Sequence, residues 1–553
     1  MTYAKCSELM VADPLPKHQP TPNPDQASAI AKIVEWWQTS NDGYYRLTGK
    51  AGVGKTWTLA RAIEAIYALP SLRIPRVAMM APTHKAKGVM LAFVRDLGLE
   101  IDCFTCHALL HLKPGRYNED GVQLIEVNTR ATGPHISDYD LVICDESSAI
   151  GPRIFGFILA ARAKVLFVGD HCQLDPVEAE DVGLNGQSFQ HSPIFELPSL
   201  WADKSRWNEP NYPYHSRLTI IERYSGAVAI AADKIAAAIE GNRIGPRIES
   251  GGNLKVLDRP SGAALFVEYL RQNRGSWKDI KYLAYTNAVV ERVNKQCREA
   301  LFPGRDTYAG GDVLIAKETI ATSLTEREWQ AFVERNMPGT NPRFIAKPLE
   351  TAVFGTDEDL AVLAATWLEV ELVSGYTTMA IDLAGWEEST QNIPVVAPWV
   401  SERIAGVQFQ GRVPAYWLTL LSAQTKLCAS VWALNLDDPN TQPFLQFIRA
   451  IPNAIATAKQ CDAGNAHLSQ YKARCWGLYY GLLSKFNLKV SGKKVTNRLR
   501  YGFAQTTHEA QGSTYEVVFA DFADMKKARN PNSVQRLQYT ALTRCSDHAV
   551  VLQ

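Results

Sequence analysis

The chain has 553 residues, 46% of them hydrophobic and 21% charged, and a formal net charge of +1. That length exceeds one ordinary core, so about three or four domains are expected, and the composition excludes a disordered or fibrous chain. The near-zero charge excludes any global attraction to nucleic acid, so such binding has to come from local basic surface. No apolar run approaches membrane-spanning length, and Met1 to Asp13 lack the apolar core of a signal peptide. A cytosolic protein with no membrane contact is expected, its ten cysteines reduced.

In chain order, the first chemistry-bearing segment begins with Tyr44-Tyr45-Arg46-Leu47-Thr48, an aromatic-rich strand. Gly49-Lys50-Ala51-Gly52-Val53-Gly54-Lys55-Thr56 follows, and then Leu59, Ala62, Ile63, Ile66 and Tyr67 at helical spacing. Strand, glycine turn, helix is the setting a phosphate-binding loop requires. The amides of Gly49, Ala51, Gly52, Val53 and Gly54 form, with the helix N-terminus, a positive nest for β- and γ-phosphates. Lys55 adds a point charge, and the Thr56 hydroxyl suits Mg²⁺. The chain is therefore expected to bind a nucleoside triphosphate.

Cys103-Phe104-Thr105-Cys106-His107 has the spacing of c-type haem attachment, but neither an export signal nor a second cysteine pair supports haem or zinc. Gly115 to Val127 reads as a hairpin turning at Asp120-Gly121, a duplex-splitting device or a surface decoration. Tyr139 to Cys144 is an apolar strand ending in Asp145-Glu146, two carboxylates at a strand tip where α/β sheets place ligands. Asp145 suits the Mg²⁺-holding position, and Glu146 suits the base that deprotonates the attacking water. A third strand, Lys164 to Val168, leads to Gln173, a neutral amide able to sense the γ-phosphate. One nucleotide-binding sheet is expected from about residue 25 to 200.

The order of these segments resembles superfamily 1 helicases, specifically the RecD-like group that includes the phage Dda helicases. The resemblance covers almost the whole chain. Pro24-Asp25-Gln26 resembles the glutamine motif, implying that Gln26 reads adenine. Ala81-Pro82-Thr83-His84-Lys85-Ala86 and Thr105-Cys106-His107-Ala108-Leu109-Leu110 resemble strand-contacting motifs, which moves His107 from iron to DNA. Leu218-Thr219-Ile220-Ile221-Glu222-Arg223 resembles the motif whose arginine reaches the γ-phosphate; a surface salt bridge is the bland alternative for Arg223. Ala284-Tyr285-Thr286-Asn287 ends a strand of the second motor domain. Thr506 to Thr514 resembles motif V, bringing Gln511 and Gly512 to the nucleotide and Thr507 and His508 to DNA. Tyr539-Thr540-Ala541-Leu542-Thr543-Arg544 resembles motif VI, making Arg544 the arginine finger. His171-Cys172, Lys87 and Thr543 are unusual fillings of their motifs.

The resemblance implies an α/β fold of two RecA-like P-loop domains. The first comprises 25–108 and 136–200 after an N-terminal extension, 1–24, and carries the hairpin 109–135, used in relatives as the pin. The second comprises 201–305 and 497–553. Between its parts lies 306–496, an SH3-like β-barrel with a helical extension. Strands are expected at Asp312 to Ala316, Leu368 to Val373 and Thr377 to Ile381, and helices around 440–485.

Residues 471–500 carry eight Lys or Arg and no Asp or Glu, with Trp476, Tyr479 and Tyr480 interleaved. Cations and stacking faces together suit unpaired DNA, although these aromatics also fall at helical spacing and fit a core. Lys493 and Lys494, with Arg498 and Arg500, are the stronger DNA candidates. The DNA-contact set is thus Pro82, Thr83, His107, Asn287, Thr507, His508, Lys493 and Lys494.

The resulting expectation is an ATP- and Mg²⁺-dependent monomeric helicase moving 5′-to-3′ on single-stranded DNA in replication, recombination or repair. Its setting is bacterial or phage-infected cytosol, and its partners are single-stranded DNA, duplex junctions and single-strand-binding or replisome proteins. The rivals are a remodelling or switch ATPase acting on proteins, a Pif-type helicase, and a RecD-like subunit of a recombination nuclease complex.

Overall fold

Short apolar runs too continuous to alternate between core and water dictate a sheet covered on both faces. In the computed structural model the described residues are 21–39, 43–71, 73–83, 86–99 with scattered gaps, 101–121, 123–161, 163–176, 192–196, 215–222, 226–273, 277–304, 308, 310–317, 320–322, 330, 351–354, 359–373, 410–422, 428–434, scattered positions from 452 to 479, 485–487, 494–496, 499–528 and 530–553.

The chain enters through α1 (Pro24–Thr39), β1 (Tyr44–Gly49) and α2 (Lys55–Tyr67). There follow β2 (Val77–Ala81), β3 (Asp102–Thr105), the short α3 (Cys106–Leu109), β4 (Leu112–Tyr117), β5 (Gln123–Val127), β6 (Leu141–Cys144), α4 (Pro152–Ala160), β7 (Val165–Gly169), α5 (Pro193–Glu196) and β8 (His215–Leu218). Six of these strands form a sheet in the order β3-β2-β6-β7-β1-β8, every neighbouring pair parallel. All residues of β2, β6 and β7 are buried, as a doubly covered parallel sheet requires. On one face Leu59, Ile63 and Ile66 of α2 pack with Ile33 and Trp36 of α1. Burial of each such aliphatic side chain contributes about 1.5–3 kcal/mol. On the other face Ile154, Phe155 and Ile158 of α4 pack with Phe167.

The second unit contains α6 (Gly226–Glu240), β9 (Leu254–Leu257), α7 (Arg259–Gln272), β10 (Ile280–Ala284) and α8 (Asn287–Leu301). A separate stretch supplies β11 (Val313–Ala316), β12 (Ile320–Thr322), β13 (Thr351–Phe354), β14 (Asp359–Val373), β15 (Gln410–Ser422), β16 (Cys428–Leu434), β17 (Lys485–Asn487), β18 (Lys494–Thr496) and β19 (Leu499–Tyr501). The chain closes with β20 (Ala504–Thr506), β21 (Tyr515–Asp521), α9 (Phe522–Met525), α10 (Pro531–Leu542) and β22 (Cys545–Leu552). The order β20-β10-β21-β22-β9 is again wholly parallel. This is an α/β fold with two wholly parallel sheets.

Seven of the intervening strands make a separate sheet, β17-β18-β16-β15-β14-β11-β19, with antiparallel neighbours except β16 and β18, and β12 pairs with β13 alone. The described positions from 452 to 479 are helical. Two edges differ from the sequence expectation. β8 pairs with β1, so the first sheet extends past residue 200 to residue 218. β19 pairs with β11, so the inserted sheet continues past 496 to Tyr501. Both strands are short and polar, His-Ser-Arg-Leu and Leu-Arg-Tyr, and carry no apolar run to announce them. The expected strand at 377–381 lies outside the described residues.

Candidate nucleotide-binding cleft

The loop after β1 is bent by glycine. Gly52 and Gly54 take φ of 81° and 78°, left-handed values that L side chains rarely adopt. A Cβ on Gly54 would stand 2.6 Å from Gln26 Nε2, and one on Gly49 would stand 2.8 Å from the Leu218 carbonyl. Gln26 is buried against this loop. Its Nε2 donates to the Val53 carbonyl at 3.3 Å, and it exchanges two hydrogen bonds with Asn23. Lys55 Nζ donates to the Gly49 and Lys50 carbonyls at 2.8 and 3.0 Å, so its charge sits inside the loop's curve. Glu222 N donates to the Gly52 carbonyl at 2.8 Å, bringing the 218–222 segment to the loop; Arg223 itself lies outside the described residues.

At the tip of β6, Asp145 N is bonded to the Met80 carbonyl and Asp145 Oδ1 accepts from Glu146 N at 2.8 Å. Glu146 occupies φ 51°, ψ 40°, a left-handed conformation costing a non-glycine residue about 1–3 kcal/mol, kept where the surroundings over-determine it. Ser147 Oγ braces this turn by donating to the Cys144 carbonyl at 2.7 Å while accepting from Val168 N. Thr56 and Asp145 offer a hydroxyl and a carboxylate, an all-oxygen donor set that fits a hard divalent cation such as Mg²⁺.

The second unit closes on this loop. Tyr539 of α10 donates its hydroxyl to Asp170 Oδ2 at 2.7 Å and accepts from Ala51 N at 2.9 Å. Arg536, one turn earlier, donates to the carbonyls of His171 and Gln173 and lies 3.5 Å from Asp175. From the loop after β20, Gln511 Nε2 stands 3.3 Å from Ser148 Oγ and 3.4 Å from Gln173 Oε1. A Cβ on Gly512 would lie 4.0 Å from Glu146 Oε1. Ala51, Cys172 and Leu174 share one apolar cluster with Leu537 and Tyr539, so loop and α10 are packed as well as bonded. Glu146, Gln173, Gln511 and Gly512 are thus brought together where the two units meet.

The AAA domain family profile matches residues 21–205, and the UvrD-like helicase C-terminal domain profile matches residues 501–552. Uncharacterised protein R530 of Acanthamoeba polyphaga mimivirus is 22% identical, with 95% of this chain and 98% of that protein covered. The RecD subunit of the RecBCD enzyme of Buchnera aphidicola (subsp. Schizaphis graminum) is 26% identical over 25% of this chain and 23% of that protein. Together these matches make the chain similar to superfamily 1 helicases of the RecD-like kind. The Pif1 helicase from Candida albicans is similar at 13% identity and a TM-score of 0.40, covering 97% of this chain and 95% of that one.

The finger candidate Arg544 is 2% exposed, its guanidinium donating to the Ser513 carbonyl at 3.3 Å, and no described contact joins it to the phosphate loop. Asp170, Arg536 and Tyr539 are the site residues that sequence reasoning missed as a set. Tyr539 stood inside a quoted motif, but its partners lie 369 and 488 residues away, beyond any spacing rule.

The DNA-contact candidates divide. Thr83 and Asn287 are exposed, and Pro82, His107 and His508 are half-buried. Burial pushes the His107 and His508 imidazoles below their ordinary value. Thr507 is fully buried, its hydroxyl donating to the Ala284 carbonyl at 3.2 Å, which takes its side chain off the surface. Lys493 lies outside the described residues, as does the Lys494 side chain. Arg500 is engaged internally, bonding Asn287 Oδ1 at 3.0 Å and pairing with Glu509. Cys106 is buried at the start of α3, and the eight described cysteines are all free.

The hairpin β4–β5 turns through Gly121, φ 80°, with Gly121 N on the Asn118 carbonyl. Its tip is held by the helical segment of the insertion. Trp476 Nε1 donates to the Glu119 carbonyl at 3.3 Å, Ser469 Oγ donates to Glu119 Oε2 at 2.7 Å, and Lys472 pairs with the same carboxylate. Trp476 and Lys472, drawn from the basic aromatic segment, therefore serve the hairpin.

Proposed function

We propose that this chain is a DNA helicase that moves along single-stranded DNA in the 5′-to-3′ direction, separating duplex ahead of it, by ATP-driven closing and opening of the cleft between its two RecA-like sheets. The observation that carries this reading is the double grip of α10 and the 511–512 loop on the phosphate loop and Gln173. A cleft assembled from both sheets changes shape when the γ-phosphate between them is lost, a domain-closure switch.

Each residue has one task in this scheme. Lys55 and the loop amides hold the β- and γ-phosphates. Thr56 and Asp145 would hold Mg²⁺, which when bound neutralises phosphate oxygens. Glu146, fixed in its left-handed turn, takes the proton of the attacking water. Gln173, in contact with Gln511, reports the γ-phosphate to the loop that carries His508. Arg223 and Arg544 close from the far side, Arg544 by exchanging the Ser513 carbonyl for phosphate oxygens. Thr83, His107, Asn287 and His508 track the strand, and the Glu119–Gly121 tip is the separating edge. The domain limits follow the sheets: the first motor unit to about residue 218, the second resuming near residue 502, and between its parts an SH3-like and helical insertion.

The test is unwinding of one duplex carrying either a 5′ or a 3′ single-stranded tail. The scheme expects strand separation from the 5′ tail only. Equal unwinding from both tails, or from the 3′ tail alone, removes the polarity, and none from either removes the unwinding role.

A further inference from the structure

A cavity of about 280 Å³ lies between β1, β8, the 171–175 loop and α10. Tyr45 and Leu47 of β1 enter the α1–α2 core, so the alternate residues Arg46 and Thr48 leave the strand on the opposite face. Beside them on β8, His215 and Arg217 stand in register with Arg46 and Thr48, and all four line the cavity. Arg536 of the second unit lines it too, so both motor units build its wall.

The partition from the catalytic cleft is thin. Ser148 lines the cavity, and its Oγ is 3.3 Å from Gln511 Nε2 on the cleft side. The Gln173 carbonyl is held at 2.7 Å by Arg536, while the Gln173 side chain faces Gln511.

The lining is cationic. Arg46, Arg217 and Arg536 stand against Asp175 in the wall and against Glu240, which pairs with Arg217 and His171 behind it. His215 senses the balance: burial, then Arg46, Arg217 and His171, push its imidazole down to about 4. Guanidinium forks and hydroxyls are the donors that a tetrahedral oxyanion takes best.

We propose that this cavity binds inorganic phosphate, receiving the ion cleaved from ATP after it leaves the γ position and holding it until release. The inference rests on the reading of the cleft as an ATPase site, and it assigns Arg46, Arg217, Thr48 and Ser148 a role in the order of product departure. Release of phosphate from a pocket walled by both units also ties cleft opening to emptying of the cavity.

The experiment titrates inorganic phosphate into the full chain saturated with Mg²⁺ and a non-hydrolysable ATP analogue, so that the γ position is filled. One phosphate per chain is expected to bind. Arg46→Gln and Arg217→Gln should each weaken it about tenfold, the loss of one hydrogen bond to a charged group. Analogue affinity should stay unchanged, and Arg217→Lys should restore part of the phosphate affinity. Arg217, with a side chain 45% exposed, is the position least able to disturb folding. No phosphate bound to the analogue-filled protein, or binding that both glutamine variants leave intact, overturns the proposal. Displacement of the phosphate by single-stranded DNA also overturns it, by assigning the cavity to the strand. Failure of the ATPase reading shows separately, as no binding of the analogue.

Discussion

Glu146 and Lys55 show how much chemistry a single position carries and what fixes it. Glu146 holds its left-handed turn because Asp145, Ser147 and the β6 strand end leave it no other arrangement. Glu146→Gln keeps shape and hydrogen bonding while removing the proton acceptor, so ATP should still bind and turnover should fall by about a hundredfold or more. Unchanged turnover removes Glu146 as the base. Lys55→Ala should abolish hydrolysis while leaving DNA binding largely intact, and retained hydrolysis refutes the site. Tyr539→Phe deletes one hydroxyl that serves Asp170 and Ala51. It should cost about 1–3 kcal/mol in stability and weaken ATP binding, measured by denaturant unfolding and nucleotide titration. The glycine loop around Lys55 and the strand tip before Glu146 were legible because each pattern is local, within ten residues. Tyr539, Arg536 and Asp170 were not, because a hydroxyl acquires its role only when two sheets meet.

At the scale of elements, the hairpin and the loop after β20 carry the coupling. Gly121 has positive φ, and a Cβ there would stand 2.8 Å from the Trp476 ring. Gly121→Val should unseat the tip, lowering strand-separation rates severalfold while DNA-stimulated ATP hydrolysis persists. Equal loss of both would show that the hairpin is not a separating edge. Glu509 joins the inserted sheet to the loop through Arg500 and Lys317 and caps Thr506 N at 3.0 Å. Burial would raise its carboxyl, but Arg500 and Lys317 outweigh burial and hold it below its ordinary value. A depressed carboxyl contributes stability that is complete above its ordinary value of 4.5 and is lost as pH falls through the lowered one. Glu509→Gln should therefore cost about 2 kcal/mol at pH 7, with the deficit shrinking as the pH falls below 4.5, read from paired urea melts. A deficit independent of pH would deny the ion pairs their role. The hairpin was readable from Asp120-Gly121, and its docking was not. The Trp476 spacing fitted core and DNA stacking equally until Glu119, about 350 residues away, was seen against it.

For the whole molecule, two parallel sheets were legible because their buried strands are continuous apolar runs ending in motif residues. The limits of each unit were less so. β8 and β19 are short polar strands recruited by their neighbours' edges, and nothing in His-Ser-Arg-Leu says which sheet it will join. The two units are one machine because Gln511, Arg536 and Tyr539 grip the nucleotide loop and its sensor from the other side. If the loop carrying Gln511 also carries a strand contact at His508, DNA and ATP are coupled through four residues of backbone. The measurement that tests this most directly is the rate of ATP hydrolysis by the full chain with and without single-stranded DNA. The account predicts a rate that rises steeply with DNA and a rise that His508→Ala diminishes. A rate indifferent to DNA would contradict it and leave an ATPase that acts on something else.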